Sequence, residues 1–136
     1  MEITDIEYEG YERVARCRDE ETGLHALIAV HDTTLGPALG GMRMWPYTSE
    51  DEALFDVLRL SKGMTKKSAV AETGLGGGKS VIIGDPRKDK SPELFRAMGR
   101  FIEALDGKYI TAEDMNIGIA DLEHVREESR WVTGLS

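Results

Sequence analysis

Lys67, Lys79 and Asp114 are the residues of this 136-residue chain whose types and settings could support chemistry. Lys79 follows the glycine-rich stretch 74–78, where the missing side chains let an anion approach both an ammonium group and the backbone. Asp114 follows the short segment 109–112, at the kind of strand end where α/β domains place reactive groups. Two ammonium groups and a carboxylate around one cleft could hold a carboxylate, polarise a carbonyl and move a proton. Residue types alone leave open the alternative that both lysines are solvated surface residues.

The glycine-rich stretch does not match the nucleotide-binding motifs. A P-loop requires a glycine five positions before the glycine of Gly-Lys-Ser, and Thr73 stands there. The dinucleotide motif GxGxxG requires a glycine where Lys79 stands. The stretch also leads into the apolar segment 80–83, which is typical of a strand and not of a phosphate-binding helix N-terminus. The sequence therefore predicts no cofactor bound by this chain, and its histidines and Cys17 show no spacing typical of a metal site.

The composition excludes several other classes of function. The chain carries 17 Lys and Arg against 25 Asp and Glu, a formal net charge of −8, which disfavours binding to nucleic acid and to anionic membranes. No apolar run approaches the roughly 20 residues of a membrane span, and the acidic N-terminus lacks a signal-peptide core. The single Cys17 lies in an alternating segment typical of a packed strand, so we expect a cytoplasmic protein without disulfides.

Strands and helices must alternate to position the three charged residues. An acidic turn separates segments 11–18 and 23–30, a pattern that predicts a hairpin. The glycines within 36–48 predict an interrupted strand or a loop. Capping signals at Ser49 and Ser91 predict helices from about 50 to 63 and from 92 to Gly107. The remaining expectations are strands at 68–71, 80–83 and 109–112, a glycine loop at 74–78, and a third helix that opens within 116–121 and ends near 128. This order predicts one α/β domain over 1–136, with a mixed parallel and antiparallel sheet and helices on both faces, a three-layer αβα arrangement.

Five segments occur in a fixed order along the chain: PALGGMRM (37–44), LSKGMTKKSA (60–69), LGGGKS (75–80), GDPR (84–87) and YITAED (109–114). As a set, with two lysines twelve residues apart, they resemble the N-terminal half of the leucine, phenylalanine and valine dehydrogenases. These enzymes form part of the glutamate dehydrogenase superfamily. The resemblance implies oxidative deamination, in which an L-amino acid, water and an oxidised nicotinamide (NAD) yield a 2-oxo acid, ammonia and the reduced cofactor.

The resemblance also implies a role for each site residue. Lys67 would bind the substrate α-carboxylate, and Lys79 would hydrogen-bond the attacking water or the developing oxyanion. Asp114 would carry the proton to and from the amino group. The backbone of Gly40 and Gly41 would lie against the substrate.

Leu39 suggests the class of substrate. Glutamate-specific relatives place a lysine directly before the Gly-Gly pair, and here Leu39 would leave a side-chain carboxylate buried without a partner. We therefore expect an apolar pocket lined by Leu39, Met64 and Ala112, with Met64 as an ordinary helix-core residue as the alternative. One methylene changes specificity by only about 1–3 kcal/mol, so the sequence does not rank leucine, valine and phenylalanine.

Two functional hypotheses follow. In the first, the chain is the substrate-binding and oligomerisation domain of an NAD-dependent amino-acid dehydrogenase, lacks the nucleotide-binding domain and has no turnover alone. Its expected partners are an amino acid or 2-oxo acid, further copies of itself and that missing domain. In the second, the chain is a stand-alone oligomerisation or amino/oxo-acid-binding module without catalysis.

Overall fold

A six-stranded mixed sheet forms the centre of the structure, a computed structural model that describes residues 1–135. Its strands, in chain order, are β1 (Glu2–Asp5), β2 (Arg13–Asp19), β3 (Leu24–Asp32), β4 (Ala38–Trp45), β5 (Gly76–Ile83) and β6 (Tyr109–Ala112). The order across the sheet is β1-β2-β3-β5-β4-β6. The first three strands and β5 pair antiparallel, whereas β4 pairs parallel with both β5 and β6. The parallel half therefore brings the glycine-containing strands β4 and β5 side by side.

Three helices cover the two faces of this sheet: α1 (Glu50–Val70), α2 (Pro92–Glu103) and α3 (Ile119–Arg126). Ser49 begins α1 by accepting a hydrogen bond from the backbone N–H of Glu52, and Ser91 begins α2 in the same way with Leu94. Both caps were expected from the sequence, and the α/β fold with a mixed sheet is confirmed. None of the helices in the described range 1–135 is long and apolar enough to cross a membrane.

Two apolar clusters hold the layers together. The α2 and α3 layer packs on one face of the sheet through fully buried side chains that include Phe95, Phe101 and Ile102. The α1 layer packs on the other face through a smaller cluster centred on Val57, with Leu27 and other residues. Helices therefore lie on both faces of the sheet, as the sequence predicts.

The chain departs from the expected elements mainly between residues 64 and 78. The helix predicted to end near 63 continues to Val70, so the strand expected at 68–71 is wrong. The glycine loop expected at 74–78 is also wrong in part, because Gly76–Gly78 belong to β5 and pair with β3 and β4. A tertiary contact explains both differences: a Cβ on Gly77 would collide with the backbone of Thr65, so helix and strand support each other at closest approach. The third helix begins at Ile119, within the expected range, and ends at Arg126, slightly before the expected end.

Candidate active site

Lys79 and Asp114 form an ion pair in the parallel half of the sheet, through Nζ and Oδ2. Lys79 lies in β5 opposite Ala29, a residue of the apolar cluster under α1, so its side chain rises on the α1 face. It is only 6% exposed. Asp114 reaches the same place from the loop after β6. Two residues that are 35 positions apart are thus joined at one point, as the sequence predicts.

Gly41 makes this pairing possible. A Cβ at position 41 would lie 2.7 Å from the Cβ of Asp114 and 2.9 Å from the carbonyl oxygen of Glu113. Any larger residue would push the loop that carries Asp114 away from Lys79. The requirement for glycine at this position is therefore steric and arises within the protein itself.

The surroundings keep Asp114 ionised. Burial raises the pKa of its carboxyl group, but this is outweighed by the hydrogen bond and positive charge of Lys79, by the backbone N–H of Met115 and by the charge of Arg43. The net result is a pKa below the ordinary value of an aspartate. At neutral pH the group is a carboxylate that can accept a proton.

Arg43 belongs to this site although the sequence-based interpretation did not include it. One terminal nitrogen, Nη2, lies 3.5 Å from Oδ2 of Asp114, and the other, Nη1, lies 3.6 Å from Oδ2 of Asp56 in α1. A signal was available in the sequence: Arg43 is two residues after Gly41, and alternate residues of a strand share one face.

Tyr109 supports the Gly40–Gly41 backbone from the opposite face and was likewise not singled out. Its fully buried hydroxyl donates to the carbonyl oxygen of Gly40 at 2.7 Å and lies 2.8 Å from the hydroxyl of Ser80. Burial raises the pKa of this phenol, so it remains a neutral hydrogen-bonding group. The contact fixes the main chain directly behind the Lys79–Asp114 pair.

The expected substrate-binding residues belong to β4 and β6, on one side of β5 in the sheet, and to α1. Leu39 is two residues before Gly41 on β4, and Ala112 is paired with Gly41 across the β4–β6 ladder; both are partly buried. Met64 is partly buried on α1, next to the point where the helix meets Gly77. Lys67 is exposed in the last turn of α1, and within residues 1–135 its side chain makes no ion pair with Asp114. The structure thus brings Lys79 and Asp114 together directly, whereas Lys67 stands apart from this ion pair in the last turn of α1.

The glycines of the candidate site are also required by packing. A Cβ at Gly40 would collide with the carbonyl oxygen of Gly78, and one at Gly78 would lie 2.9 Å from the ring of Tyr109. Close approach of a substrate to this backbone, expected from the resemblance, stays a prediction. The glycines would be needed in its absence.

The glycine-rich segment does not form a phosphate-binding loop, and the described residues include no cluster suited to a metal ion. The glycine-rich segment is a central strand whose backbone pairs with strands on both sides, so its N–H groups do not form a phosphate-binding loop. No group of three or more His, Cys, Asp or Glu residues within 1–135 has a geometry that could hold a metal ion.

Comparisons with known proteins identify the family of this chain. The family model described as Glu/Leu/Phe/Val dehydrogenase, dimerisation domain, matches residues 11–131. The chain belongs to this dehydrogenase family. It is 62% identical over 126 residues to the leucine dehydrogenase of Geobacillus stearothermophilus, covering 93% of the chain and 34% of the relative. It is 56% identical over 125 residues to the phenylalanine dehydrogenase of Lysinibacillus sphaericus, covering 92% and 33%.

Solved structures show the same fold. The L-tryptophan dehydrogenase from Nostoc punctiforme superimposes with a TM-score of 0.87 at 47% identity, over 90% of this chain and 37% of that one. A hetero-hexameric glutamate dehydrogenase from Thermus thermophilus gives a TM-score of 0.71 at 24% identity, over 91% and 34%. The chain thus spans about a third of the length of the family members it matches.

Proposed function

We propose that this chain is the substrate-binding part of an amino-acid dehydrogenase that converts an apolar L-amino acid to its 2-oxo acid and ammonia. The observation that carries the proposal is the Lys79–Asp114 pair, which joins an almost fully buried cation to an ionised carboxylate. The family relationship supports it, because several relatives are leucine and phenylalanine dehydrogenases. Membership in this family also supports assembly into a homo-oligomer through this domain.

The environment of Lys79 is suited to stabilising an oxyanion. Its ammonium group is shielded from water, and electrostatic interactions are stronger in such a site than in bulk solvent. An ammonium has three N–H donors, so Lys79 can bind Asp114 and still donate to a water or to an oxygen on the substrate α-carbon. Its positive charge would then stabilise the negative charge that develops as water adds to that carbon.

Asp114 has the protonation state that the amino group requires. The attacking water must lose a proton and the departing amine must gain one. Asp114 is a carboxylate at neutral pH because its pKa is depressed, and it can therefore take a proton at one stage and return it at the other. Its contact with Lys79 would keep both groups next to the substrate α-carbon, which carries the amino group and the oxygen.

Lys67 and Leu39 would select the two ends of the substrate. Lys67 is exposed at the C-terminal end of α1, where its ammonium group is accessible to an α-carboxylate. Leu39 presents an apolar side chain next to Gly40 and Gly41, with Ala112 on the neighbouring strand. A pocket of this composition accepts an aliphatic or aromatic side chain and rejects a carboxylate, because the carboxylate would lose its hydration without gaining a partner.

NAD is proposed as the cofactor of the intact protein and not of the described residues, which do not fit a dinucleotide. This chain accordingly binds and orients the substrate and moves its protons. The hydride acceptor is bound elsewhere.

The test is a turnover assay with the intact protein that carries this chain. L-Leucine, L-valine, L-phenylalanine and L-glutamate are each supplied with NAD or NADP, and formation of the reduced nicotinamide is followed by absorbance. We expect turnover of the apolar substrates and little of glutamate. Lack of turnover with every amino acid would refute the proposed activity, and efficient turnover of glutamate would refute the role of Leu39.

A Leu39→Lys variant sharpens the assay. It places an ammonium group where a side-chain carboxylate would arrive, so we expect the ratio of glutamate to leucine turnover to rise at least about tenfold. Leu35→Lys is the matched control, since Leu35 is an exposed leucine before β4 and its replacement leaves the ratio unchanged.

A further inference from the structure

We propose that Arg43 is a positioning residue that ties Asp114 to α1 through Asp56 and so holds the carboxylate in place beside Lys79. The inference rests on the proposed function for its kinetic consequences. The link itself, in which Arg43 of β4 faces Asp56 of α1 and Asp114 of the loop after β6, does not depend on that function.

The guanidinium of Arg43 faces two carboxylates at once. Its terminal nitrogens lie 3.6 Å from Asp56 and 3.5 Å from Asp114, and the side chain is 18% exposed. A guanidinium has a planar fork of donors and stays protonated at all working pH values, which suits it to bridge two anions from different elements. A lysine in the same place would supply the charge without the fork.

The other end of the link is firmly anchored. Asp56 accepts a hydrogen bond from the Tyr47 hydroxyl at 2.5 Å and from Nη2 of Arg59 at 2.6 Å. It lies next to Val57, which is fully buried in the cluster under α1. Arg43 thus connects the loop that carries Asp114 to a helix that packs on the sheet.

Asp114 needs a second positively charged partner because, in the proposed reaction, Lys79 must interact with both Asp114 and the substrate. In the proposed reaction its ammonium group must turn part of its hydrogen-bonding capacity toward the substrate oxygen. Arg43 approaches the same oxygen of Asp114, Oδ2, and has no such second task. It therefore keeps the carboxylate aligned and ionised while Lys79 engages the substrate.

The pH dependence of Asp114 is set by the charged and titratable groups on the elements packed around it. Across the packed elements they are Lys79 of β5, Arg43 of β4, Asp56, Arg59 and Glu52 of α1, Tyr47 before α1, Tyr109 of β6, and Glu113 on the same loop. The cations nearest Asp114 are Lys79 and Arg43. Removing Arg43 therefore raises the pKa of Asp114 toward that of an ordinary aspartate.

The experiment compares Arg43→Gln, Arg43→Lys and wild type in the intact protein, with Arg16→Gln as the matched control. Arg16 also joins a strand to α1, through Glu50 at 3.0 Å, but it does not contact Asp114. We expect Arg43→Gln to lower kcat about tenfold to a hundredfold, because misplacing a catalytic group by about 1 Å can cost a hundredfold. KM should change less than about threefold, since Arg43 does not bind the substrate.

The pH profile separates positioning from a purely structural role. In Arg43→Gln the acid limb of kcat/KM moves to higher pH, because a less depressed Asp114 needs a higher pH to ionise. Arg43→Lys restores the acid limb to near the wild-type position while kcat recovers only in part. Arg16→Gln leaves both kcat and the profile unchanged. An Arg43→Gln enzyme with a wild-type acid limb and wild-type kcat would overturn the inference.

A crystal structure of the Arg43→Gln protein decides the geometric part independently of turnover. We expect the Asp114 carboxylate to leave its position beside Lys79. If Asp114 keeps that position, the inference is wrong even when the dehydrogenase activity is confirmed. If wild type lacks all dehydrogenase activity but Asp114 is displaced in the variant, the proposed function fails and the positioning role stands.

Discussion

The two faces of the sheet differ in what they bury. The face under α2 and α3 is filled by large apolar side chains such as Phe95, Phe101 and Ile102. On the α1 face, the antiparallel half has a small apolar cluster, whereas the parallel half carries glycines and the ion-paired Lys79, Asp114 and Arg43. The same strands contribute to both faces, since residues alternate in direction. The larger apolar core and the candidate catalytic pair thus lie on opposite faces of one set of strands, so we expect substitutions on one face to have limited effect on the other.

The largest expected effect on activity comes from Lys79→Met on the α1 face of the sheet. We expect kcat to fall about a thousandfold in the intact protein, because a positioned donor to a developing oxyanion typically contributes a hundredfold to a thousandfold. Lys90→Met is the control on the other side of the molecule, where Lys90 pairs with Asp121 at 2.6 Å. A comparable loss of kcat in both variants would contradict the division between the faces.

The opposite face should respond in stability. Phe101→Ala removes a fully buried ring from the α2 layer, and we expect a loss of about 3–5 kcal/mol in the free energy of unfolding. Urea denaturation measures the loss, and kcat of the protein that remains folded should stay within about threefold of wild type. Phe55→Ala is the control, since Phe55 is 70% exposed and its loss should cost little. If kcat fell in proportion to stability, the two faces would not be independent.

Gly41→Ala tests the steric requirement at the junction of strand and loop. The added methyl would lie 2.7 Å from the Cβ of Asp114, so the loop must shift and we expect kcat to fall about a hundredfold. Gly63→Ala is the matched control in α1, because a Cβ there meets nothing within 4 Å and alanine is the better helix former. Loss of activity in Gly63→Ala, or full activity in Gly41→Ala, would contradict the steric argument.

The smallest expected effect is on the pH dependence of stability. The pKa of Asp114 is depressed in the folded protein, so its ionised form stabilises the fold at pH values above the pKa of an unfolded aspartate. That contribution is lost as the pH falls through the lower, folded pKa. We therefore expect Asp114→Asn to be less stable than wild type at neutral pH and to approach it in strong acid, as measured by thermal unfolding. An equal difference at both pH values would contradict the sign of the shift.

Local signals were sufficient to predict most elements of the fold. The caps at Ser49 and Ser91, the hairpin of β2 and β3 and the strand at 109–112 all follow from patterns within a few residues. The errors fall where tertiary contact overrides local preference. Gly76–Gly78 have weak strand propensity, but hydrogen bonds from strands on both sides hold them in β5.

The candidate site was predictable in part for a related reason. Lys79 and Asp114 carried recognisable signals, a glycine-rich approach and a strand end, and the structure pairs them. Asp56 and Tyr109 were missed because their importance lies in contacts with residues of other elements, which no spacing along the chain displays. For Arg43 the spacing from Gly41 indicated the strand face but not its contacts with Asp56 and Asp114. The roles of Lys67, Leu39, Met64 and Ala112 stay predictions.

The contact between Thr65 and Gly77 has a consequence for how this protein can vary. Because Gly77 has no side chain, the backbone and hydroxyl of Thr65 lie directly against β5, and any larger residue at position 77 would push the helix and the strand apart there. We therefore expect this contact to keep the spacing of α1 and β5 nearly constant when residues elsewhere in the apolar layers are replaced. Residues proposed to contact the substrate, such as Leu39, could then vary in size while the backbone around Lys79 keeps its position.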